Sequence, residues 1–228
     1  MFSIIVPMDT NRLEQFASTK AAYDEMPQEK EFVVVTRTED LEQILKSQDL
    51  DKDVRIIHYE LKEGFNCSRA LNLGVKASKY DTIIITSPEV KPTTDVLAQF
   101  SEEPGTNIVA QVFDQDEKGN LTSLVCGGYR DSSPAMYFLA QFNKADIETI
   151  NGWDEEFLKG YAYEDNDFCE RWNRAGLPFK VRDDICATHQ YHPRGETIPD
   201  GLATNQQHYY DNTDAGVTYC KNGLNKVQ

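Results

Sequence analysis

The first hundred residues alternate short apolar runs with amphipathic segments, and this alternation limits the possible folds more than any other feature of the sequence. Runs rich in Val, Ile and Phe lie at residues 2–7, 31–36, 54–60 and 81–86. Segments with apolar residues at helical spacing follow them at residues 12–26, 39–48, 68–78 and 93–100. Continuous apolar strands separated by helices predict a mainly parallel sheet covered by helices on both faces. The sequence therefore predicts an α/β fold.

The pattern changes after Phe100. Residues 107–129 alternate apolar and polar side chains around the turn signal EKGN, which predicts a hairpin. A strand leading into a helix is predicted over residues 136–153, and a further helix over residues 164–175. The stretch from about Asp200 is polar and is expected to be weakly structured. We therefore predict one domain over residues 1–199, with residues 200–228 as a polar C-terminal tail that packs on it or trails from it.

Charge and cysteine content restrict the partners and the compartment. The 228 residues include 38 acidic and 23 basic side chains, giving a net charge of −15, which disfavours nucleic acid and anionic membranes as partners. The five cysteines are far apart and form no CxxC pair, so we expect reduced, mostly structural thiols. The sequence contains neither a secretory leader nor an apolar stretch long enough for a membrane span. A cytoplasmic location is expected.

In parallel α/β sheets, ligands bind beyond the carboxyl ends of the strands. The informative segments should therefore be residues 7–11, 36–40, 60–69 and 87–91. The sequence has no GxxxxGK[ST] motif, and no GxGxxG motif follows the first strand. Their absence argues against a P-loop NTPase and a dinucleotide-dependent dehydrogenase.

A cluster of carboxylates marks the segment NGWDEEFLKGYAYEDNDFCERW, residues 151–172. Glu164, Asp165 and Asp167 begin the predicted helix, where the helix dipole favours acidic side chains. That account does not explain the GYAY sequence before them. The alternative is a loop at Gly160 that presents the acids to a cleft, where one of them takes a proton from a hydroxyl nucleophile.

The same segment resembles the second half of family-2-type inverting glycosyltransferases and of the related galactosyltransferases. Both carry a Gly-Trp or Gly-Phe, an Asp-Glu, a Gly and then Glu-Asp-x-Asp before an Arg. Supporting matches are FSIIVP at the start, FNCSRALNLGVKAS in the middle and KPTTDVL after the fourth strand, so that the resemblance covers about residues 2–192. It implies the GT-A fold, a Rossmann-like nucleotide-diphospho-sugar transferase domain.

The resemblance also implies roles for residues of this segment. Asp165 matches the general base that deprotonates the acceptor hydroxyl, and Glu164 matches an acid that orients the acceptor. Trp153 matches a ring that stacks on sugar, although a core tryptophan is an equal alternative. Tyr163 and Asp167 complete the predicted acceptor site.

The predicted donor site lies at the strand ends. Arg69 and Asn72 belong to the segment that approaches the donor diphosphate, where arginine makes bidentate phosphate contacts; a solvated helix face is the alternative. Thr36 stands where the family has the acid that contacts uracil, which leaves Arg37 or Asp40 to compensate. The full set of predicted donor contacts is Pro7, Asp9, Thr36, Arg37, Arg69, Asn72, Ser87 and Glu89.

A divalent cation, Mn²⁺ or Mg²⁺, is implied by the resemblance, but its ligands differ from the family pattern. Ser87 and Glu89 stand at the positions of the family's Asp-x-Asp, and Glu89 is the better oxygen ligand of the two. His189 and His192, in ATHQYHPRG, are predicted to complete the metal site or to contact the donor phosphate. Surface histidines and a structural zinc site are the alternatives.

The sequence therefore predicts an inverting glycosyltransferase that moves a sugar from a nucleotide-sugar donor, with UDP favoured, to a hydroxyl acceptor. A glycan, a lipid-linked sugar, a protein and a modified nucleic-acid base all remain possible acceptors, and the negative charge disfavours the last. Two other functions stay open. One is an inactive binding or scaffold protein of the same fold, and the other is a sugar nucleotidyltransferase.

Overall fold

The computed structural model describes residues 1–47, 54–61, 64–126, 138–157, 162–193 and 200–226. Its first half consists of alternating strands and helices, as the sequence predicts. In chain order they are β1 (Phe2–Pro7), α1 (Leu13–Asp24), β2 (Lys30–Arg37), α2 (Thr38–Lys46), β3 (Val54–Tyr59), α3 (Cys67–Ala77) and β4 (Thr82–Thr86). The four strands pair in parallel in the order β3-β2-β1-β4. Because β1, the inner part of β2 and the inner part of β4 are buried, their apolar runs are continuous rather than alternating.

The second half extends the same sheet with strands of both directions. Its elements are β5 (Val90–Pro92), α4 (Val96–Ser101), β6 (Ile108–Gln115), β7 (Leu121–Cys126), β8 (Leu139–Asn143), α5 (Lys144–Thr149), α6 (Glu164–Arg174), β9 (Lys180–His189) and α7 (Gly201–Asp214). The strand order continues from β4 through β8, β6 and β9 to β5, and β7 pairs with β6. The β4–β8, β8–β6 and β9–β5 pairs are antiparallel, whereas β6 and β9 are parallel. The sheet is therefore mixed, which corrects the mainly parallel arrangement predicted.

The predicted hairpin is confirmed in β6 and β7, and its turn depends on Asp116. The Asp116 carboxylate accepts hydrogen bonds from the backbone N–H groups of Lys118 and Asn120, at 2.9 and 2.8 Å. Gly119 has a φ of 84°, a left-handed conformation that glycine adopts without steric cost. The EKGN signal therefore marks the turn correctly.

Close packing fixes α3 on the sheet. A Cβ atom at Gly74 would lie 2.3 Å from Cγ2 of Ile5, so a side chain there would push α3 away from β1. Asn66 caps the N-terminus of α3 by accepting a hydrogen bond from the backbone N–H of Arg69 at 2.8 Å. The start of α3 is thus held at the carboxyl end of the sheet.

The C-terminal segment differs from the prediction of weak structure, since residues 201–214 form the helix α7. Gly201 and Asn205 are its buried residues. The helix packs against α6 through polar side chains. A sequence search for an apolar stripe therefore misses α7. Among the described residues, none of the helices is long and apolar enough to cross a membrane.

Candidate active site

Strand pairing brings three potential metal ligands together at one edge of the sheet. Glu89 directly precedes β5, His189 ends β9, and in the antiparallel β5–β9 pair Val90 lies opposite His189. The backbone N–H of Gln190 donates to the Glu89 carbonyl at 2.9 Å, which extends this pairing by one residue. Residues far apart in the sequence thereby become neighbours.

Glu89, His189 and His192 form a compact group, here called the Glu–His–His cluster. Glu89 Oε1 lies 3.5 Å from His189 Nε2 and 3.9 Å from His192 Nε2. One ligand atom from each of the three residues lies within 4.8 Å of the other two. The two distances from Glu89 to the histidines are compatible with ligands of one cation bound at about 2.0–2.2 Å.

The cluster also has an unsatisfied acceptor, as expected of a site that fits a cation. Glu89 Oε2 is buried and accepts no hydrogen bond from the described part of the chain. Arg12 Nε approaches it at 3.7 Å. Burial alone would raise the pKa of Glu89, but His189 and Arg12 outweigh burial and lower it, so that the carboxylate is ionised at neutral pH.

Asp114 orients the imidazole of His189. Asp114 lies opposite His189 in the β6–β9 pair, and its Oδ1 is 2.8 Å from His189 Nδ1. Burial would lower the pKa of His189, but the Glu89 and Asp114 carboxylates outweigh burial and raise it. Holding a proton on Nδ1 leaves the Nε2 lone pair directed at Glu89, as in metal sites where a carboxylate supports a histidine ligand. Asp114 could not be predicted from the sequence, because its spacing from His189 forms no motif.

Glu164 and Asp165 form an acid pair at the start of α6. Both side chains are half-buried, in the first turn of the helix. Burial and then the neighbouring Asp165 carboxylate raise the pKa of Glu164 to about 7. Burial also raises the pKa of Asp165, against the backbone N–H of Asn166, which lowers it. Close to neutral pH, the pair is therefore poised to hold and exchange a proton.

The acid pair and the Glu–His–His cluster both lie near the start of α3, and the region between them is here called the cleft. Cys67, the first residue of α3, lies within electrostatic reach of both. Burial is the largest cause of its raised pKa, and the carboxylates of Glu164, Asp165 and Glu89 raise it further. The cleft thus brings together three side chains that could bind a cation, two carboxylates of raised pKa and the N-terminus of α3.

Comparison with solved structures identifies the architecture. S. aureus TarS 1–349 in complex with UDP-GlcNAc aligns with a TM-score of 0.69 at 13% identity, covering 98% of this chain and 68% of TarS. The catalytic domain of Drosophila beta1,4galactosyltransferase 7, in complex with xylobiose, aligns with a TM-score of 0.64 at 14% identity. The alignment covers 100% of this chain and 84% of that one. The chain has the GT-A fold.

Two further comparisons bear on this GT-A chain. Mannosyltransferase PcManGT from Pyrobaculum calidifontis, in complex with GDP-Man and Mn²⁺, aligns with a TM-score of 0.58 at 14% identity, covering 92% of this chain and 69% of that one. A family model described as the N-terminal domain of galactosyltransferase matches residues 138–193, which include the acid pair and both histidines. Comparison of the sequence with curated proteins gives no match.

Two of the predicted acceptor contacts are wrong. The Trp153 ring is fully buried and stacks on Phe168 with ring centroids 4.1 Å apart, so the alternative of a core tryptophan holds. Asp167 is 1% exposed, and its carboxylate accepts hydrogen bonds from Arg171 Nε at 2.6 Å and Asn212 Nδ2 at 2.8 Å. Both side chains stabilise the fold around the cleft. Tyr163 stays a predicted acceptor contact, with its hydroxyl accepting a hydrogen bond from Gln206.

The prediction that Asn72 contacts the donor is also wrong. Its side chain is fully buried and forms a two-way link to Trp153, donating to the carbonyl at 2.8 Å and accepting from the N–H at 2.9 Å. A Cβ atom at Gly152 would lie 2.3 Å from Asn72 Oδ1, so this link also explains the glycine of the NGW motif. Asn72 therefore joins α3 to the segment that leads to the acid pair.

Arg69 and Arg37 remain candidates for donor contacts. Arg69 is half-buried on the first turn of α3, its guanidinium lies 5.6 Å from the Tyr59 ring centroid, and its Nε has no hydrogen-bond partner among the described residues. Arg37 is held by Asp40, with Nε 2.7 Å from Oδ2, and donates to the Gly64 carbonyl at 3.0 Å. Both guanidinium groups are thus placed by the fold at the carboxyl end of the sheet.

The other predicted donor residues are less available. Pro7, Thr36 and Ser87 are buried at the ends of β1, β2 and β4. Thr36 Oγ1 has no hydrogen-bond partner within the described chain. Asp9 is half-buried, and its carboxylate accepts from the Asn11 N–H at 2.9 Å to cap a short 3₁₀ turn. A donor contact from these residues stays a prediction.

Proposed function

We propose that this protein is a glycosyltransferase that moves a sugar from a nucleotide-sugar donor, UDP-linked, to a hydroxyl acceptor with inversion. The observation that carries the proposal is the placement of both the acid pair and the Glu–His–His cluster near the start of α3. The GT-A fold and the molecules bound in its structural neighbours, UDP-GlcNAc, xylobiose and GDP-Man, support a nucleotide sugar as donor and a sugar as acceptor.

In this proposal Asp165 is the general base. Its carboxylate takes the proton of the acceptor hydroxyl as the hydroxyl oxygen forms a bond to the anomeric carbon. The bond from that carbon to the donor diphosphate breaks on the opposite side, and the diphosphate leaves with the electron pair, which inverts the configuration. With a pKa of about 7, Glu164 is partly protonated at neutral pH and can hydrogen-bond the acceptor either as donor or as acceptor.

The leaving diphosphate requires positive charge. Arg69 is suited to this role because a guanidinium binds phosphate oxygens in pairs. Glu89, His189 and His192 would hold a divalent cation, which when bound neutralises the charge developing on the diphosphate. Mg²⁺ prefers oxygen ligands, whereas imidazole suits transition metals, so two histidines favour Mn²⁺ over Mg²⁺.

Calorimetric titration of UDP, with Mn²⁺ and separately with EDTA, tests the donor site. We expect binding in Mn²⁺ and a loss of affinity in EDTA. Equal affinity in both would contradict the role of the cluster while leaving a transferase without a metal requirement. GDP is titrated in parallel. Absence of binding by UDP, GDP and the other sugar-carrying nucleotides would overturn the proposed function.

Asp165→Asn tests the general base. The variant should bind UDP within about twofold of the wild type, because other residues make the proposed contacts to the donor. Its transfer rate should fall by about 10²–10⁴-fold, the usual contribution of a general base. Asp214→Asn, which alters an exposed carboxylate at the end of α7, is the matched control. Transfer by Asp165→Asn within about tenfold of the wild type would assign the base elsewhere.

A further inference from the structure

Two consecutive residues before the acid pair have an unfavourable backbone conformation. Ala162 has a φ of 67° and Tyr163 a φ of 74°, in the left-handed region that L-residues with a side chain rarely adopt. In this region the Cβ atom comes too close to the following carbonyl oxygen, so the conformation is unfavourable in the isolated chain. This conformation persists only where surrounding structure enforces it. Since Glu164 follows directly, these two residues determine the direction in which the acid pair enters the cleft.

The contacts that hold this turn come from α7. Asn205, which is 2% exposed, donates from Nδ2 to the Ala162 carbonyl at 2.8 Å. Gln206 Nε2 donates to the Tyr163 hydroxyl at 2.7 Å. The Tyr163 and Tyr209 rings lie 5.5 Å apart. Each strained residue thus has at least one partner on the C-terminal helix.

A second row of contacts anchors α7 beside α6. Asn212 Nδ2 donates to Asp167 Oδ1 at 2.8 Å, and His208 Nε2 lies 3.1 Å from Asp154 Oδ2. The His208 ring also packs against Phe157, with centroids 4.8 Å apart. Asn205, His208 and Asn212 are spaced three and four residues apart, so they lie along one face of α7. That face is attached both to α6 and to the turn before it.

We propose that α7 is a positioning element for the acid pair, with Asn205 and Gln206 as positioning residues that hold Ala162 and Tyr163 in the left-handed conformation. Its catalytic consequence rests on the proposed function, in which Asp165 is the base. Without these two amides the turn relaxes to negative φ, and the acids move away from the acceptor hydroxyl. A displacement of about 1 Å in a catalytic group can lower the rate by about 10²-fold.

Steady-state kinetics test the catalytic consequence. Asn205→Ala and Gln206→Ala should each lower kcat by about tenfold or more, while the KM for the donor stays within about twofold, because the donor diphosphate is bound by other residues. Gln207→Ala is the matched control, since Gln207 is exposed on the same helix and bonds to Asp211 within it. A parallel loss in Gln207→Ala, or a matching rise in donor KM, would mean general loosening and would overturn the proposal.

Ala162→Gly separates positioning from simple destabilisation. Glycine adopts positive φ about as readily as negative φ, so the turn no longer depends on Asn205. The double variant Asn205→Ala/Ala162→Gly should therefore recover part of the kcat lost in Asn205→Ala. A double variant with no recovery, measured at equal folded fraction, would contradict the proposal.

Thermal unfolding tests the restraint without any measurement of activity. The four proteins compared are the wild type, Ala162→Gly, Asn205→Ala and the double variant. In the wild-type background, Ala162→Gly relieves strain and should raise the melting temperature. In the Asn205→Ala background the turn has already relaxed, so the same substitution should raise it less. Equal shifts in both backgrounds would overturn the restraint. If the wild type transfers no sugar, the proposed function fails, and this comparison still decides whether α7 restrains the turn.

Discussion

At the level of single residues, the acid pair shows how burial outweighs the helix dipole. A position in the first turn of a helix lowers the pKa of a carboxylate, because the N–H groups there carry partial positive charge. Glu164 and Asp165 nevertheless have raised pKa values, since both are half-buried and lie next to each other. The proposed catalytic base therefore lies in an arrangement that lowers the free energy of unfolding at high pH.

Glu164→Gln should stabilise the protein at alkaline pH. The pKa of Glu164 rises from an ordinary 4.5 to about 7 on folding, so between these values the folded state binds more protons than the unfolded state. The free energy of unfolding of the wild type therefore falls as the pH rises through this range. By urea unfolding at pH 8 we expect the variant to be more stable by about 1–3 kcal/mol.

The pH dependence is the decisive part of this experiment. Near pH 4.5 the gain of Glu164→Gln should disappear, because the wild-type carboxyl is then protonated in the folded state. Glu148→Gln, at an exposed position on α5, should change stability by less than about 0.5 kcal/mol at either pH. A gain for Glu164→Gln that is equal at both pH values would contradict the raised pKa.

At the level of elements, α6 carries two arginine–carboxylate pairs of the same spacing but different burial. The side chains of Arg171 and Asp167 are 0% and 2% exposed, and Arg171 Nε lies 2.6 Å from Asp167 Oδ2. Arg171 Nη1 also donates to the carbonyls of Ile150 and Gly152, at 3.0 and 2.8 Å. These bonds fasten α6 to the segment before the acid pair. The second pair, Arg174 with Glu170, is 3.4 Å apart and partly exposed.

Arg171→Ala should therefore cost much more stability than Arg174→Ala. Removing Arg171 leaves the Asp167 charge buried without its cation, and the cost of breaking such a buried pair is about 3–5 kcal/mol. Removing Arg174 breaks a pair of a kind worth about 0.3–0.5 kcal/mol, together with one bond to the Val217 carbonyl worth about 1 kcal/mol. Chemical denaturation of both variants at pH 7 measures the difference. Equal losses would show that burial does not set the strength of these pairs.

The elements that could be predicted from the sequence are those whose apolar pattern reports their environment. Strands β1, β2 and β4 are buried and have continuous Val and Ile runs, and the structure confirms them. The helix α7 lacks such a pattern, because Asn205 and Asn212 replace apolar contacts with hydrogen bonds. Antiparallel insertion of β8 beside β4 also leaves no mark on the sequence, since a buried strand reads the same in either direction.

Some of the site residues could also be predicted from the sequence, and others could not. His189, His192 and Glu89 were identified because the residue types themselves imply metal ligation, and the fold brings them together. Asn72, Trp153 and Asp167 were misassigned because a motif does not distinguish a side chain that contacts substrate from one that holds the loop. Their burial and hydrogen bonds decide that question. These three side chains therefore support the fold and do not contact the donor or the acceptor.

At the level of the whole molecule, the Glu–His–His cluster joins distant parts of the chain. Glu89 follows the N-terminal parallel strands, whereas His189 ends the last strand and His192 follows it. Asp114 of β6 contacts His189. The three ligands come together only in the folded chain, so the cation site exists only there. Metal binding should therefore stabilise the entire fold rather than one segment.

Mn²⁺ should raise the melting temperature of the wild type in a concentration-dependent manner. At 100 times the dissociation constant, the stabilisation is about 2.7 kcal/mol, or about 5–10 °C for a chain of this size. His189→Ala should abolish the shift, and Asp114→Asn should require about 10–100-fold more metal because Nδ1 of His189 loses its support. His58→Ala, at an exposed histidine of β3, should retain the full shift. If His189→Ala keeps the wild-type shift, Mn²⁺ binds outside the Glu–His–His cluster, and the diphosphate must be neutralised by arginine alone.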